Sequence, residues 1–291
     1  MKNLSEKALI VNFTVSLWSA SKTDKKITRE VEQAHNATNA GRFNKILVAK
    51  TALEDVKRIS SSARTFHYEN TLPWGDNGDR LLPSANYFEY INKQREFKFQ
   101  FETAVEKFIY SYPHIKEEAK SRLNGMFNEA DYPTLQKLPK KFSMETTFMP
   151  IANLDDFRIS VNQTEIERLR NDIEQNIYLR INDATKHIWQ RIADAIRHMY
   201  ERLSDKEAVF RDTLVTNISD LINLLPRLNF TDNQEINEVI EEMKGLIVSP
   251  DYLRASDNKR METAENAKEL LGKITDFLGS EYAFAASTAD L

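Results

Sequence analysis

The sequence predicts a mainly α-helical, elongated protein built around one very long helix, with a small two-stranded β element. Three observations point there. An eleven-residue repeat runs from Gln163 to Leu203, glycine (7) and proline (8) are scarce in 291 residues, and only two short stretches alternate as strands do.

In the repeat, Asp172, Asp183 and Asp194 fall one unit apart, as do Ile177, Ile188 and Met199. Arg180, Arg191 and Arg202 follow the same spacing, and so do Ile181, Ile192 and Leu203. Eleven residues in three turns is ~3.67 per turn, close to the α-helical period, so the helix should be nearly straight and not a heptad coiled coil. Over residues 163–203 or beyond, at ~1.5 Å per residue, it would be roughly 60 Å long. Phe210, Leu214, Ile218 and Leu221 let the pattern run on to Pro226.

The other elements follow in order. Val11, Phe13, Val15 and Leu17 alternate, predicting a strand at 9–18. The same start loosely mimics a secretory signal, but Glu6 and the polar Asn12, Thr14 and Ser16 argue for the strand. Helices are expected at 28–38 and at 45–68, the second with Ile46, Leu53, Val56, Ile59 and Ala63 on one face. Residues 70–83 read as a loop ending at the N-cap Ser84. An aromatic-rich helix follows, with Phe97, Phe101, Phe108 and Tyr112 inward, and Pro113 should stop it. Residues 125–155 read as irregular. Phe157, Ile159 and Val161 alternate, and 156–161 is expected to pair with 9–18, since a lone strand leaves its ladder unsatisfied. Near the end, Thr231 and Gln234 form a capping box, Ser249-Pro250 opens a helix, and a last helix carries Met261, Ala264, Leu271, Ile274 and Leu278 up to Gly279. This divides the chain into a mixed N-terminal part (1–162), the long helix (163–228) and a C-terminal helical hairpin (229–291).

Charge is uneven. Residues 229–291 hold 6 basic and 13 acidic residues, net −7, whereas residues 1–70 hold 12 basic and 7 acidic, net +5. The whole chain is −4, which excludes a uniformly basic nucleic-acid binder but not a local patch. With no cysteine, disulfides, thiol catalysis and thiolate-ligated zinc are excluded. No stretch approaches the ~20 apolar residues of a membrane span.

Catalytic motifs are missing: there is no phosphate-binding glycine loop, no Gly-x-Ser-x-Gly elbow and no His-Glu-x-x-His. His114 lacks a second histidine. Asp183/His187 and Asp194/His198 each stand four apart, but the two pairs lie ~16 Å apart along the axis and cannot share one ion. With Arg191 and Arg202 they form a polar stripe, read as a solvated ionic face or as a partner-binding one. Asp76, Asn77, Gly78 and Asp79 have calcium-loop residue types without its spacing, and read as a turn beside a packed Trp74. The candidate nucleic-acid patch is Lys22, Lys25, Lys26, Lys45, Lys50, Lys57 and Arg58, with Lys140 and Lys141 elsewhere. Tyr87, Tyr90, Phe97 and Phe99 would stack on bases, though their spacing is also that of a helix core. The apolar tail 282–291 reads as a packed or frayed terminus.

The stretch from Leu72 to Phe88 (Leu-Pro-Trp-Gly-Asp-Asn-Gly-Asp-Arg-Leu-Leu-Pro-Ser-Ala-Asn-Tyr-Phe), with Leu17-Trp18-Ser19 and the repeat helix, resembles an uncharacterised family of bacteriophage and mobile-element proteins. Members are often encoded near MoxR-type AAA+ ATPases, von Willebrand-type proteins or recombination genes. The resemblance implies an accessory or adaptor role in the cytoplasm of a bacterial host and assigns no catalytic residue. The expectation is a non-enzymatic assembly protein without cofactor, acting as a homo-oligomer or on another protein such as an AAA+ ATPase or a host defence protein. The alternatives are a DNA-associated recombination or replication factor using the basic N-terminal third, and a hydrolase with dispersed carboxylates.

Overall fold

The computed structural model describes residues 4–151 and 163–278. The chain folds as two compact units, each assembled from separate segments. The long-helix unit comprises Met1–Asn12, Tyr68–Tyr90 and Phe148–Leu291; the aromatic unit comprises Phe13–His67 and Ile91–Thr147. These boundaries do not follow the three consecutive segments read from the sequence.

In chain order the elements are α1 (Leu4–Lys7), β1 (Ala8–Ser16), β2 (Ser21–Thr23), α2 (Lys25–Ala34), β3 (Asn44–Ile46), α3 (Glu54–Glu69), β4 (Leu72–Pro73), β5 (Arg80–Pro83), α4 (Tyr87–Leu123) and β6 (Ser143–Met149). They continue with α5 (Gln163–Ser204), α6 (Thr213–Leu228), α7 (Gln234–Lys244), α8 (Pro250–Ala255) and α9 (Asp257–Leu278). The mainly α prediction holds, and the long helix is one uninterrupted element of 42 residues. It stops at Ser204 and does not continue to Pro226, because the chain turns before α6 begins.

The strand at the N-terminus is present, in a four-stranded sheet of order β4-β5-β1-β6. Its antiparallel register with β5 runs from Ala8↔Pro83 to Val11↔Arg80. The expected partner 156–161 lies outside the described residues. Residues 70–83 are a hairpin and not a loop: Leu72 faces Leu81, and Gly78 turns the chain with φ +88°, which only glycine adopts freely. Asn12 Nδ2 donates to Asp79 Oδ1 at 3.2 Å, so that turn is held by its own sheet. Within 125–155, β6 gives regular structure where none was read.

In the aromatic unit, a two-stranded sheet joins β2 to β3, Lys22 facing Lys45. Helix α2 starts earlier than expected, because Asp24 caps it by accepting from Lys26 N and Ile27 N. The helix expected from 45 begins only at Glu54 and buries Val56, Ile59 and Ala63. Phe101, Phe108 and Tyr112 of α4 are buried. Trp18 lies edge-on to Tyr112 at 5.9 Å between centroids, and Phe108 meets Phe142 at 5.7 Å. Pro113 does not stop α4, which runs ten residues further. Pro113 deprives only one carbonyl of its donor, and beyond it Ala119 is buried in the core while Ile115 packs against it. That burial carries the helix through.

The core of the long-helix unit packs Ile188, Ile192, Ile196, Met199 and Leu203 of α5 against α6, α7 and α9. Trp189 stacks on Phe277 at 4.8 Å, placing the C-terminal end of α9 near the middle of α5. Helix α7 is capped by Asn233, whose side chain accepts from Ile236 N at 3.1 Å, and not by Thr231. Ser249 stands at the N-cap position of α8 with Pro250 in the first turn, as read, but its side chain makes no capping hydrogen bond.

Candidate functional site

The polar stripe of α5 does not act as one surface. Asp183, Asp194, His198 and Arg202 are exposed, while His187 and Arg191 are half-buried. Asp194 pairs with Arg197 at 3.5 Å. Among the described residues no three His, Asp or Glu side chains gather into a metal-holding cluster.

Arg191 faces inward because a helix end needs it. A helix leaves its last carbonyls without intrahelical partners. Arg191 donates to Tyr68 O at 2.6 Å and Glu69 O at 2.5 Å, the last residues of α3, and to Thr71 O at 2.8 Å. Arg80 reaches the same end, donating to Thr71 Oγ1 at 2.6 Å and Thr71 O at 2.9 Å. Burial, reinforced by Arg80, lowers the Arg191 guanidinium to about 10, against the opposing pull of Glu69. Two like charges sit together because carbonyl dipoles solvate both.

His187 pays no part in that capping. Its Nδ1 is buried without a hydrogen-bond partner. Burial, then Arg191 and Arg80, push its pKa from 6.5 down to about 4, with Asp194 opposing. The folded state therefore holds His187 neutral while the unfolded chain takes up a proton below 6.5, so stability falls as pH drops through that window. At ~1.4 kcal/mol per unit, reduced by about half for partial solvation, the loss is about 1–2 kcal/mol. Urea unfolding at pH 7 and pH 4.5 should show a His187→Gln variant losing less stability than wild type by about that amount; parallel losses would refute the assignment.

The nearest thing to a binding site lies further toward the N-terminus of α5, and the sequence reading passed over it. Ile173 and Ile177 of α5 line a groove of about 320 Å³ with Ile10, Ile151 and the buried Trp74. Arg180 closes one side with its guanidinium 5.8 Å from the Trp74 ring centroid. The apolar stripe itself was legible, but its exposure was not: Ile188 and Ile192 are fully buried, whereas Ile177 and Ile181 are half-buried. Arg170 stands within that stripe, seven residues before Ile177 and so on the same helix face, and its buried Nε has no hydrogen-bond partner. Neither Arg170 nor Arg180 meets a carboxylate within ion-pair distance among the described residues.

The basic patch is thinner than read. Lys22, Lys25, Lys26, Lys50, Lys57 and Arg58 are exposed, but Lys45 is 4% exposed and belongs to the interior. Its Nζ lies 2.7 Å from Asp131 and 3.3 Å from Asp24, and it donates to Met126 O at 2.8 Å. Burial depresses its pKa, but Asp131 and Asp24 outweigh that and hold it above the ordinary lysine value. Of the remaining cations, Arg58 pairs with Asp55 at 3.3 Å and Lys26 approaches Glu30 at 3.9 Å. Of the proposed stacking aromatics, Tyr90 is buried and Phe97 packs against the core, while Phe99 is exposed.

No family model, no curated protein and no solved structure matches this chain. Among the described residues no helix is long and apolar enough to cross a membrane.

Proposed function

We propose that this protein is a non-enzymatic interaction protein that receives an acidic, apolar helical segment of a partner in the Trp74 groove. One observation carries the reading: an apolar groove lined on one side by Arg180, with Arg170 further along the same face of α5 and neither arginine within ion-pair distance of a carboxylate among the described residues. A partner helix with apolar residues three and four apart and Asp or Glu beside them would cover Ile173 and Ile177 and pair both arginines. The resemblance to phage and mobile-element proteins makes a MoxR-type ATPase or a host defence protein the first partner to try. The exposed lysines of the aromatic unit support DNA binding less, because Lys45 is spent internally and two other cations face acids.

Site-specific crosslinking tests this. A photoreactive phenylalanine at Ile177 of the full chain should capture a protein segment of that acidic amphipathic pattern, and Arg170→Glu with Arg180→Glu should reduce the yield at least tenfold. No crosslink, or a crosslink to a second copy of the chain, would overturn the partner reading. Salt-steep binding of duplex DNA that disappears on reversing Lys22, Lys25 and Lys26 to glutamate would replace it with the nucleic-acid reading.

A further inference from the structure

At the far end of α5, away from the Trp74 groove, a second depression of about 230 Å³ opens toward the start of α6. His198 and Arg202 line it from α5, one turn apart; Arg211 precedes α6, and Thr213 and Asn217 line it from α6, again one turn apart. Phe210 and Leu214 supply its apolar wall. No carboxylate lines it. Asp212, next to Arg211, pairs with Arg254, and Asp205 accepts from Glu207 N at 3.0 Å. The side chains of Arg202 and Arg211 make no hydrogen bond or ion pair among the described residues. Elsewhere in this unit Arg191 caps the end of α3 and Arg260 the end of α5. Arg202 and Arg211 thus bring two guanidiniums without a partner among the described residues to one depression.

We propose that this depression is an anion site for the phosphate group of a small phosphomonoester. Arginine presents planar, paired N–H donors that match phosphate oxygens two at a time, and two such forks neutralise a dianion. The Thr213 hydroxyl, the Asn217 amide and the His198 ring add further donors of the kind that fix orientation. The depression is larger than a phosphate ion, and the Phe210 and Leu214 wall fits a small carbon skeleton beside it. This site is independent of the groove and stands or falls separately.

Isothermal titration of the full chain with inorganic phosphate and with ribose 5-phosphate tests it. Both should bind saturably with one-to-one stoichiometry, the sugar phosphate more tightly because it also uses the apolar wall. Arg202→Ala with Arg211→Ala should weaken both at least tenfold, while the circular dichroism melt stays within a few degrees because both side chains are solvent-facing. Arg191→Lys, elsewhere on α5, should leave phosphate affinity unchanged and so serves as the control. Absence of saturable phosphate binding at millimolar concentration, or affinity unchanged in the double variant, would overturn the proposal. Tighter binding of inorganic phosphate than of ribose 5-phosphate would overturn its phosphomonoester part.

Discussion

Ile192→Asp, alone or with Ile188→Asp, is expected to unfold the long-helix unit. Both isoleucines are fully buried, in a core that also holds Ile196, Ile218 and Ile274. A carboxylate there would lose its water without meeting a cation, and the isoleucine's apolar contacts would go with it. The combined cost is on the order of 4–5 kcal/mol or more, a large fraction of the ~5–15 kcal/mol that holds a domain together. Far-ultraviolet circular dichroism and limited proteolysis should show helix loss and rapid cleavage between 163 and 278. Ile177→Asp is the comparison on the same helix: half-buried at the groove, it should cost at least 2 kcal/mol less. A melting temperature for Ile192→Asp within a few degrees of wild type would refute the packing described.

The second large effect belongs to Arg260 of α9, which is 9% exposed. It donates to Leu203 O at 3.0 Å, Arg202 O at 2.9 Å and Ala208 O at 2.8 Å, and also to Asp205 O. One guanidinium thus satisfies the C-terminal carbonyls of α5 and of the turn after it, where the helix was expected to continue and does not. Its aliphatic and planar surface also covers the Phe210 ring, 5.4 Å away. Arg260→Ala should leave these partly buried carbonyls unpaired and cost about 3–4 kcal/mol. Arg260→Lys should recover only part, since an ammonium cannot span the same fan of acceptors. Chemical denaturation measures both; full recovery by lysine would mean that charge alone, and not the fork, holds the turn.

These two residues mark what could be read in advance. The α5 periodicity is a property of one helix and needs no neighbour, so residues 163–203 and the buried Ile188 and Ile192 were visible in the sequence. The alternation of Val11, Phe13 and Val15 is equally local. Arg260 carried no signal, because its role depends on a turn more than fifty residues earlier in the chain. The hairpin at 72–83 escaped because strands of two and four residues are too short to show a period. Pro113 misled because propensity was weighed without the tertiary burial on the far side of it. The groove escaped for a related reason. Ile173 and Ile177 have the same residue type and spacing as their buried counterparts, and only the elements packed against α5 decide which turns stay open.

The division of the chain also dictates when each unit becomes complete during synthesis. The aromatic unit ends at Thr147, so all of it has been translated near the halfway point. The long-helix unit begins first and finishes last: Ala8 and Leu81 share a core with Ile196 and Ile274. At ~5–20 residues per second, the first residues of β1 wait roughly a quarter of a minute to a minute for the final helix. Throughout that interval Ala8 of β1 and Leu72 and Leu81 of the hairpin have no finished core to enter. Once residues up to Thr147 have emerged from the ribosome, the chain carries one unit able to fold and one exposed template, the stage at which a chaperone has most to protect.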